Sequence, residues 1–221
     1  MDGILSFILE SISSFDHSVL KAVNSTMRSG FFDSIMPYIT KLGDDGIFWI
    51  ALALILMIPK KTRRTGAAMG VAMLIGLIIG NGLLKNIIAR PRPFDISDTV
   101  VPRNSLLIDP PTDYSFPSGH TLASFEAATA LYKDHTLYGF AAFVLALLIA
   151  FSRIYLQVHY PSDVLGGAIL GFLFGLLGST IVRAFCDKWA EHKSKKASAA
   201  AAAAKEEEAS KETPEETPQY H

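Results

Sequence analysis

The sequence predicts an all-α protein, a polytopic bundle of about five to six membrane helices with its chemistry gathered at the extracytoplasmic boundary. Two observations carry that prediction. Half of the 221 residues are hydrophobic, and they fall in long runs, with the charges collected between the runs and in the tail. The runs lack the period-two alternation of barrel strands, and since only helices and closed barrels satisfy the backbone in lipid, helices are selected.

The opening stretch MDGILSFILESISSFDHSVL places Ile4, Leu5, Ile8, Leu9 and Ile12 at helical spacing. Residues 1–30 are therefore read as an amphipathic helix on the interface. Asp2 stands where a signal peptide would be basic, and no small-residue cleavage site follows, so no cleaved leader is expected.

Residues 31–189 form the expected membrane domain. Its first unit runs from Phe31 to Pro59 and is broken near Gly43–Gly46 by LGDDG. Lys60, Lys61, Arg63 and Arg64 then make the densest basic loop, which the positive-inside rule puts in the cytoplasm. A second span, Gly66 to Ile88, is rich in Gly and Ala and suited to close helix packing. Arg90 to Phe116 holds five prolines between Pro91 and Pro111 and reads as an ordered extracytoplasmic loop.

A third helix begins near Pro117 and has about 15 residues, short of the roughly 20 that a bilayer requires unless it packs inside a bundle. Lys133, Asp134 and His135 return the chain to the cytoplasm, and Leu137 to Phe151 crosses outward. Ser152 to Asp163 is expected outside, with Val164 to Phe185 crossing back to a second basic segment, KWAEHKSKK. Both basic clusters thus fall on one side and every candidate catalytic group on the other. Residues 190–221 are a low-complexity tail whose alanine run can extend the last helix and whose end is expected to be disordered.

A formal net charge of −1, with no basic stripe, argues against a nucleic-acid partner. The single Cys186 excludes an internal disulfide and has no Cys or His cluster for zinc, so neither metal nor cofactor is expected.

Three clusters carry chemistry. In SRIYLQVHYPSD, His159 is a candidate nucleophile or base, and Asp163, four residues on, can orient its ring. Pro161 suits the first turn of a helix, which would put Asp163 inside that helix and His159 just before it. In KNIIARPRP, Lys85, Arg90 and Arg92 are cations at the end of an apolar helix, and the flanking prolines stiffen the backbone around Arg92. In FPSGH, Pro117 can open a helix so that the Ser118 and Gly119 amides point from its positive end, with His120 beside them. Lys85, Arg92 and Arg153, a helix N-terminus and two histidines together fit a phosphoryl group, whose transfer needs mainly positioning and charge stabilisation. The inventory does not say which histidine attacks.

In this order the clusters resemble the three-part signature of the type 2 phosphatidic acid phosphatase superfamily. The matching positions are Lys85, Arg92 and Pro93, then Pro117 to His120, then Ser152, Arg153, His159 and Asp163, and the resemblance spans roughly Phe31 to Phe185. It implies a metal-independent lipid phosphatase in a multi-pass cell-membrane bundle, acting on a lipid phosphate among membrane lipids. By that similarity His159 attacks phosphorus with Asp163 holding its ring. His120 protonates the leaving oxygen and later activates water. Lys85, Arg92, Arg153, Ser118 and the Gly119 amide bind the phosphate oxygens. Small bacterial members resembling this chain act on undecaprenyl diphosphate, and phosphatidylglycerophosphate or phosphatidic acid is the alternative substrate. A lipid phosphotransferase would use the same phosphohistidine, whereas a non-enzymatic scaffold would not need every site position filled.

Overall fold

Glycine and proline punctuation sets the helices in a computed structural model that describes residues 2–212. Helix α1 (Asp2–Thr26) is followed by α2 (Gly30–Lys41), whose N-terminus is capped by the Ser29 hydroxyl accepting from the Phe32 amide. The expected break follows, where Asp45 and Gly46 take left-handed backbone conformations with φ of 49° and 66° before α3 (Ile47–Met57) resumes. Helix α4 (Arg63–Ile75) runs through a π-helical segment, Gly76–Leu84, into α5 (Lys85–Ile88). A left-handed Ala89 then ends that rod. After a long loop come α6 (Gly119–Asp134), α7 (Thr136–Tyr155) and α8 (Pro161–Glu212).

Among the described residues there are no strands, and three helical stretches are long and apolar enough to cross a membrane: Arg63–Ile88, Thr136–Tyr155 and Pro161–Ala202. Helix α6 has 16 residues and is largely buried by its neighbours, which explains how it lies within a membrane bundle despite its length. The outward faces of the other helices expose Leu54, Leu77, Leu147 and Leu173, a surface suited to lipid.

Two local expectations are corrected. Pro117 does not open α6; Ser118 stays extended, with its amide donating to the Asp163 carbonyl at 3.2 Å, and the helix begins at Gly119. Helix α7 does not stop at Phe151 but carries Ser152 and Arg153 inside its last turn, the Leu156 amide still donating to the Ser152 carbonyl at 2.9 Å. Both residues are buried.

Residues 1–182 form one compact unit, in which α6 packs on α7 and α4, α3 on α4, and α1 and α2 on α7. Helix α8 lies close against α6 through small residues spaced four apart. A Cβ added at Gly167, Gly171 or Gly175 would come within 2.8 Å, 2.6 Å and 2.8 Å of the carbonyl oxygens of Ser118, Leu122 and Glu126. Such stripes let membrane helices approach backbone to backbone. The second unit begins at Arg183. Its helix includes the alanine run, and residues 213–221 of the expected disordered end lie outside the described residues.

Ile4, Phe7, Ile8, Leu9 and Ile12 are exposed, while Asp16, Leu20 and Val23 are buried. The end of α1 therefore docks through a stripe that contains a carboxylate.

Candidate active site

Four segments meet at one end of the bundle: α5 with the loop after it, the start of α6, the last turn of α7, and the turn into α8. The basic loop before α4 and the connection between α6 and α7 lie at the other end, because each of these helices runs from one end to the other. Lys85, Arg92, Gly119, His120, Arg153 and His159 line a single cavity of about 1210 Å³. Ser118 and Asp163 are fully buried behind it.

His159 sits in the short turn between α7 and α8, made possible by a left-handed Gln157 with φ 59°. One guanidinium nitrogen of Arg92, Nη1, lies 3.2 Å from His159 Nε2 and donates to the Val158 carbonyl at 2.7 Å. A guanidinium has only donors, so Nε2 carries the lone pair and the ring proton is on Nδ1. On that side Ser115 Oγ is 3.5 Å away and Asp163 Oδ2 is 3.7 Å away. The expected pairing of Asp163 with His159 is thus a close approach rather than a short hydrogen bond. Asp163 Oδ2 instead accepts from Ser115 Oγ at 2.5 Å and from the Tyr160 amide at 2.9 Å. Burial, then Arg92 and Arg153, hold the His159 ring well below the ordinary histidine value and so keep it neutral.

The cations are arranged for an oxyanion. Arg92 donates through Nε to the Asp113 carbonyl at 2.7 Å and through Nη2 to Asp113 Oδ1 at 2.5 Å, and Lys85 Nζ bonds the other oxygen of that carboxylate. Asp113 therefore occupies Lys85 and Arg92 much as a phosphate would. Its half-burial opposes ionisation, but Lys85 and Arg92 prevail and hold its carboxyl at about 2. Arg153, only 2% exposed, donates from Nη1 to Thr40 Oγ1 at 2.6 Å, and its Nε has no hydrogen-bond partner. A buried guanidinium left with an open donor beside a neutral histidine is a ready anion contact.

His120, in the first turn of α6, donates from Nε2 to Asp44 Oδ1 at 2.8 Å. Its ring passes so close to Gly43 that a Cβ there would lie 2.7 Å from His120 Cδ2. The Ser118 amide is committed to Asp163, and its hydroxyl accepts from Thr121 Oγ1 at 3.0 Å, so Gly119 is the residue of that pair that faces the cavity. Ser152, also in the signature, donates to its own helix at the Ile149 carbonyl, 2.6 Å away, and takes no part in the site.

Sequence reasoning did not find Asp44, Asp113 or Ser115. Asp44 and Asp113 lie among turn-forming Gly, Asp and Pro residues, where an acid reads as punctuation. Arg90, grouped by sequence with Lys85 and Arg92, turns away from them. It donates from Nη1 to Asp163 Oδ1 at 2.6 Å and from Nη2 to Asp16 Oδ2 at 2.7 Å, and its guanidinium lies 3.9 Å from the centre of the Tyr160 ring.

From the site the cavity descends between α3 and α4 as a groove lined by Ile50, Leu54, Met57, Met73, Leu74 and Leu77. A second cavity of about 970 Å³ shares His120 and Arg153 with it and is bordered by Thr40, Lys41, Asp44 and Arg103 together with Leu106, Leu107 and Ile108.

Residues 65–186 match the PAP2 superfamily. The chain is 32% identical to the undecaprenyl-diphosphatase of Sulfolobus acidocaldarius, over 76% of this chain and 78% of that protein. It is 31% identical to the undecaprenyl-diphosphatase BcrC of Bacillus subtilis, over 78% of this chain and 88% of that protein. In structure it resembles the PAP2 type phosphatidylglycerolphosphate phosphatase of Bacillus subtilis with a TM-score of 0.62 at 28% identity, covering 80% of this chain and 87% of that one.

Proposed function

The chain belongs to the PAP2 superfamily and is a membrane phosphatase of that family, and on that premise we propose that it hydrolyses undecaprenyl diphosphate to undecaprenyl phosphate through a phosphohistidine at His159. The observation that carries the reading is the neutral His159 Nε2 set among Lys85, Arg92 and Arg153, directly above an apolar groove.

In the proposed reaction the terminal phosphate displaces Asp113 from Lys85 and Arg92 and takes the open donor of Arg153 and the Gly119 amide. The α6 N-terminus adds roughly half a positive charge to that environment. The Nε2 lone pair attacks the terminal phosphorus, the bridging P–O bond breaks, and His120 supplies the proton to the departing lipid phosphate. As the ring becomes cationic, Asp163 balances its charge and Ser115 steadies its Nδ1–H. Water, deprotonated by His120, then cleaves the P–N bond and releases inorganic phosphate through the second cavity. Ser118 serves by holding the start of α6 against Asp163. The apolar groove takes the isoprenoid carbons next to the phosphate.

Five or six membrane helices, with the site outside and both basic segments inside, is the topology this reading adopts, supported by the charge asymmetry of the loops. Residues 31–189 form the phosphatase domain in this reading, and residues 190–221 a cytoplasmic tail.

The test is phosphate release by the purified protein in detergent, with EDTA present, from undecaprenyl diphosphate, phosphatidylglycerophosphate and phosphatidic acid in parallel. The expected result is a kcat/KM for the isoprenoid diphosphate at least about tenfold above the others, a preference of about 1.4 kcal/mol. Equal or faster turnover of a glycerolipid would assign the protein to phospholipid metabolism. Transfer of the phosphate to an added lipid alcohol in preference to water would make it a phosphotransferase.

A further inference from the structure

Resting on the phosphohistidine reading, we infer that Asp16 of α1 and Arg90 are positioning residues for the reaction, with Asp16 neutralising Arg90 so that the charge of Asp163 remains available to His159. The observation is a continuous chain of ionic contacts from a helix outside the signature to the nucleophile. Asp16 is completely buried, and its Oδ1 accepts from the Ser162 amide at 2.9 Å. Its Oδ2 accepts from Ser162 Oγ at 2.5 Å and from Arg90 Nη2 at 2.7 Å. Arg90 Nη1 donates both to Ser162 Oγ at 2.7 Å and to Asp163 Oδ1 at 2.6 Å. The other oxygen of Asp163 is the one 3.7 Å from His159 Nδ1.

Charge counting explains why the chain needs its distal member. Arg90 bonded to Asp163 alone would form a neutral pair, and a neutral pair does little for an imidazolium that forms during attack. With Asp16 on its far side, Arg90 is shared between two carboxylates, and the trio carries one net negative charge facing the ring. The guanidinium fork is what allows one cation to hold both carboxylates in fixed geometry. Stacking on Tyr160, the neighbour of His159, fixes the plane of that fork. Ser162, in the first turn of α8, ties the same carboxylate to the helix that carries Asp163. Docking of α1, through Asp16 and through the Leu20 carbonyl that accepts from Gln157 Nε2 at 3.2 Å, thus sets the charge state behind the nucleophile. Arg92, Arg153, Lys85 and His120 also act on the His159 ring, while on its Nδ1 side stand Ser115 Oγ at 3.5 Å and the carboxylate of Asp163 at 3.7 Å.

The experiment compares kcat and KM of the full-length protein with those of Asp16→Asn, Asp16→Glu, Arg90→Lys and the double variant Asp16→Asn/Arg90→Gln. Asp16→Asn keeps the shape but removes the charge and turns one accepting oxygen into an NH2 donor, so at least one bond to Ser162 or Arg90 is lost and Arg90 draws mainly on Asp163. A fall in kcat of roughly tenfold, the scale of one pKa unit of imidazolium stabilisation, is expected, with KM within about twofold of wild type. The decisive arm is the double variant, which also removes the uncompensated cation and is expected to recover most of the lost kcat. Asp16→Glu, which keeps the charge, should stay nearer wild type than Asp16→Asn. If Asp16→Asn does not fold, Arg90→Lys decides: lysine cannot bridge both carboxylates as a fork, so kcat should fall while KM holds. Wild-type kcat in Asp16→Asn or in Arg90→Lys would overturn the inference, as would a double variant no better than the single one, the signature of a merely structural tie. Failure of the wild-type protein to release phosphate from any lipid would instead remove the phosphatase reading, and this inference with it.

Discussion

Replacing His159 by alanine is expected to abolish phosphate release, lowering kcat by at least roughly a thousandfold, because it removes the nucleophilic nitrogen set among Lys85, Arg92 and Arg153. The geometry gives this expectation its sharpness. Arg92 has only protons to offer, so its 3.2 Å approach to Nε2 leaves that nitrogen as the acceptor, and burial keeps the ring neutral and ready to attack. The helices do not depend on the ring, whose hydrogen-bond contacts are the 3.2 Å approach and the long 3.5 Å one to Ser115. The variant should therefore elute in detergent as the wild type does, with unchanged helical circular dichroism. Residual activity above about one per cent of wild type, in a protein free of contaminating phosphatase, would mean that another group attacks.

Arg153→Ala should separate activity from stability. Its guanidinium is buried, shares one hydrogen bond with Thr40 and leaves Nε unpaired, so it costs the folded protein desolvation without full compensation. The alanine variant is expected to lose about a hundredfold or more in kcat/KM, the scale of removing one preorganised donor to developing charge. Its thermal midpoint in detergent should hold or rise. A variant that lost stability while retaining its kcat/KM would place Arg153 in the scaffold and outside the phosphate site.

What the sequence made legible was local or nearly so. The break around Gly43–Gly46 and the start of α8 at Pro161 follow from backbone preferences that need no tertiary context. Lys85, Arg92, Gly119, His120, Arg153 and His159, which line one cavity, could be named because each lies in a short segment of unusual composition at the end of an apolar run. The partners of these residues were not legible. Asp113, Asp44 and Asp16 reach the site across 28, 76 and 74 positions to Lys85, His120 and Arg90, and a lone acid in a turn or an amphipathic helix has no pattern that announces such a contact. The same distance effect misplaced Ser118: its amide was assigned to an incoming anion, but α8 packs close enough through Gly167 for the Asp163 carbonyl to take it. Arg153 was expected just beyond the span that was ended at Phe151. Thr40 and the site that it faces make the last turn of α7 tolerable for it.

The reading depends most on a covalent bond between phosphorus and His159. Rapid quenching during turnover of undecaprenyl diphosphate labelled in its terminal phosphate would capture that bond, since phosphohistidine survives alkali and is lost in acid. Expected is an alkali-stable, acid-labile label that maps to the peptide containing His159, appears before free phosphate and is absent from His159→Ala. Steady phosphate release with no label on the protein at any time, or an acid-stable label on another residue, would contradict it.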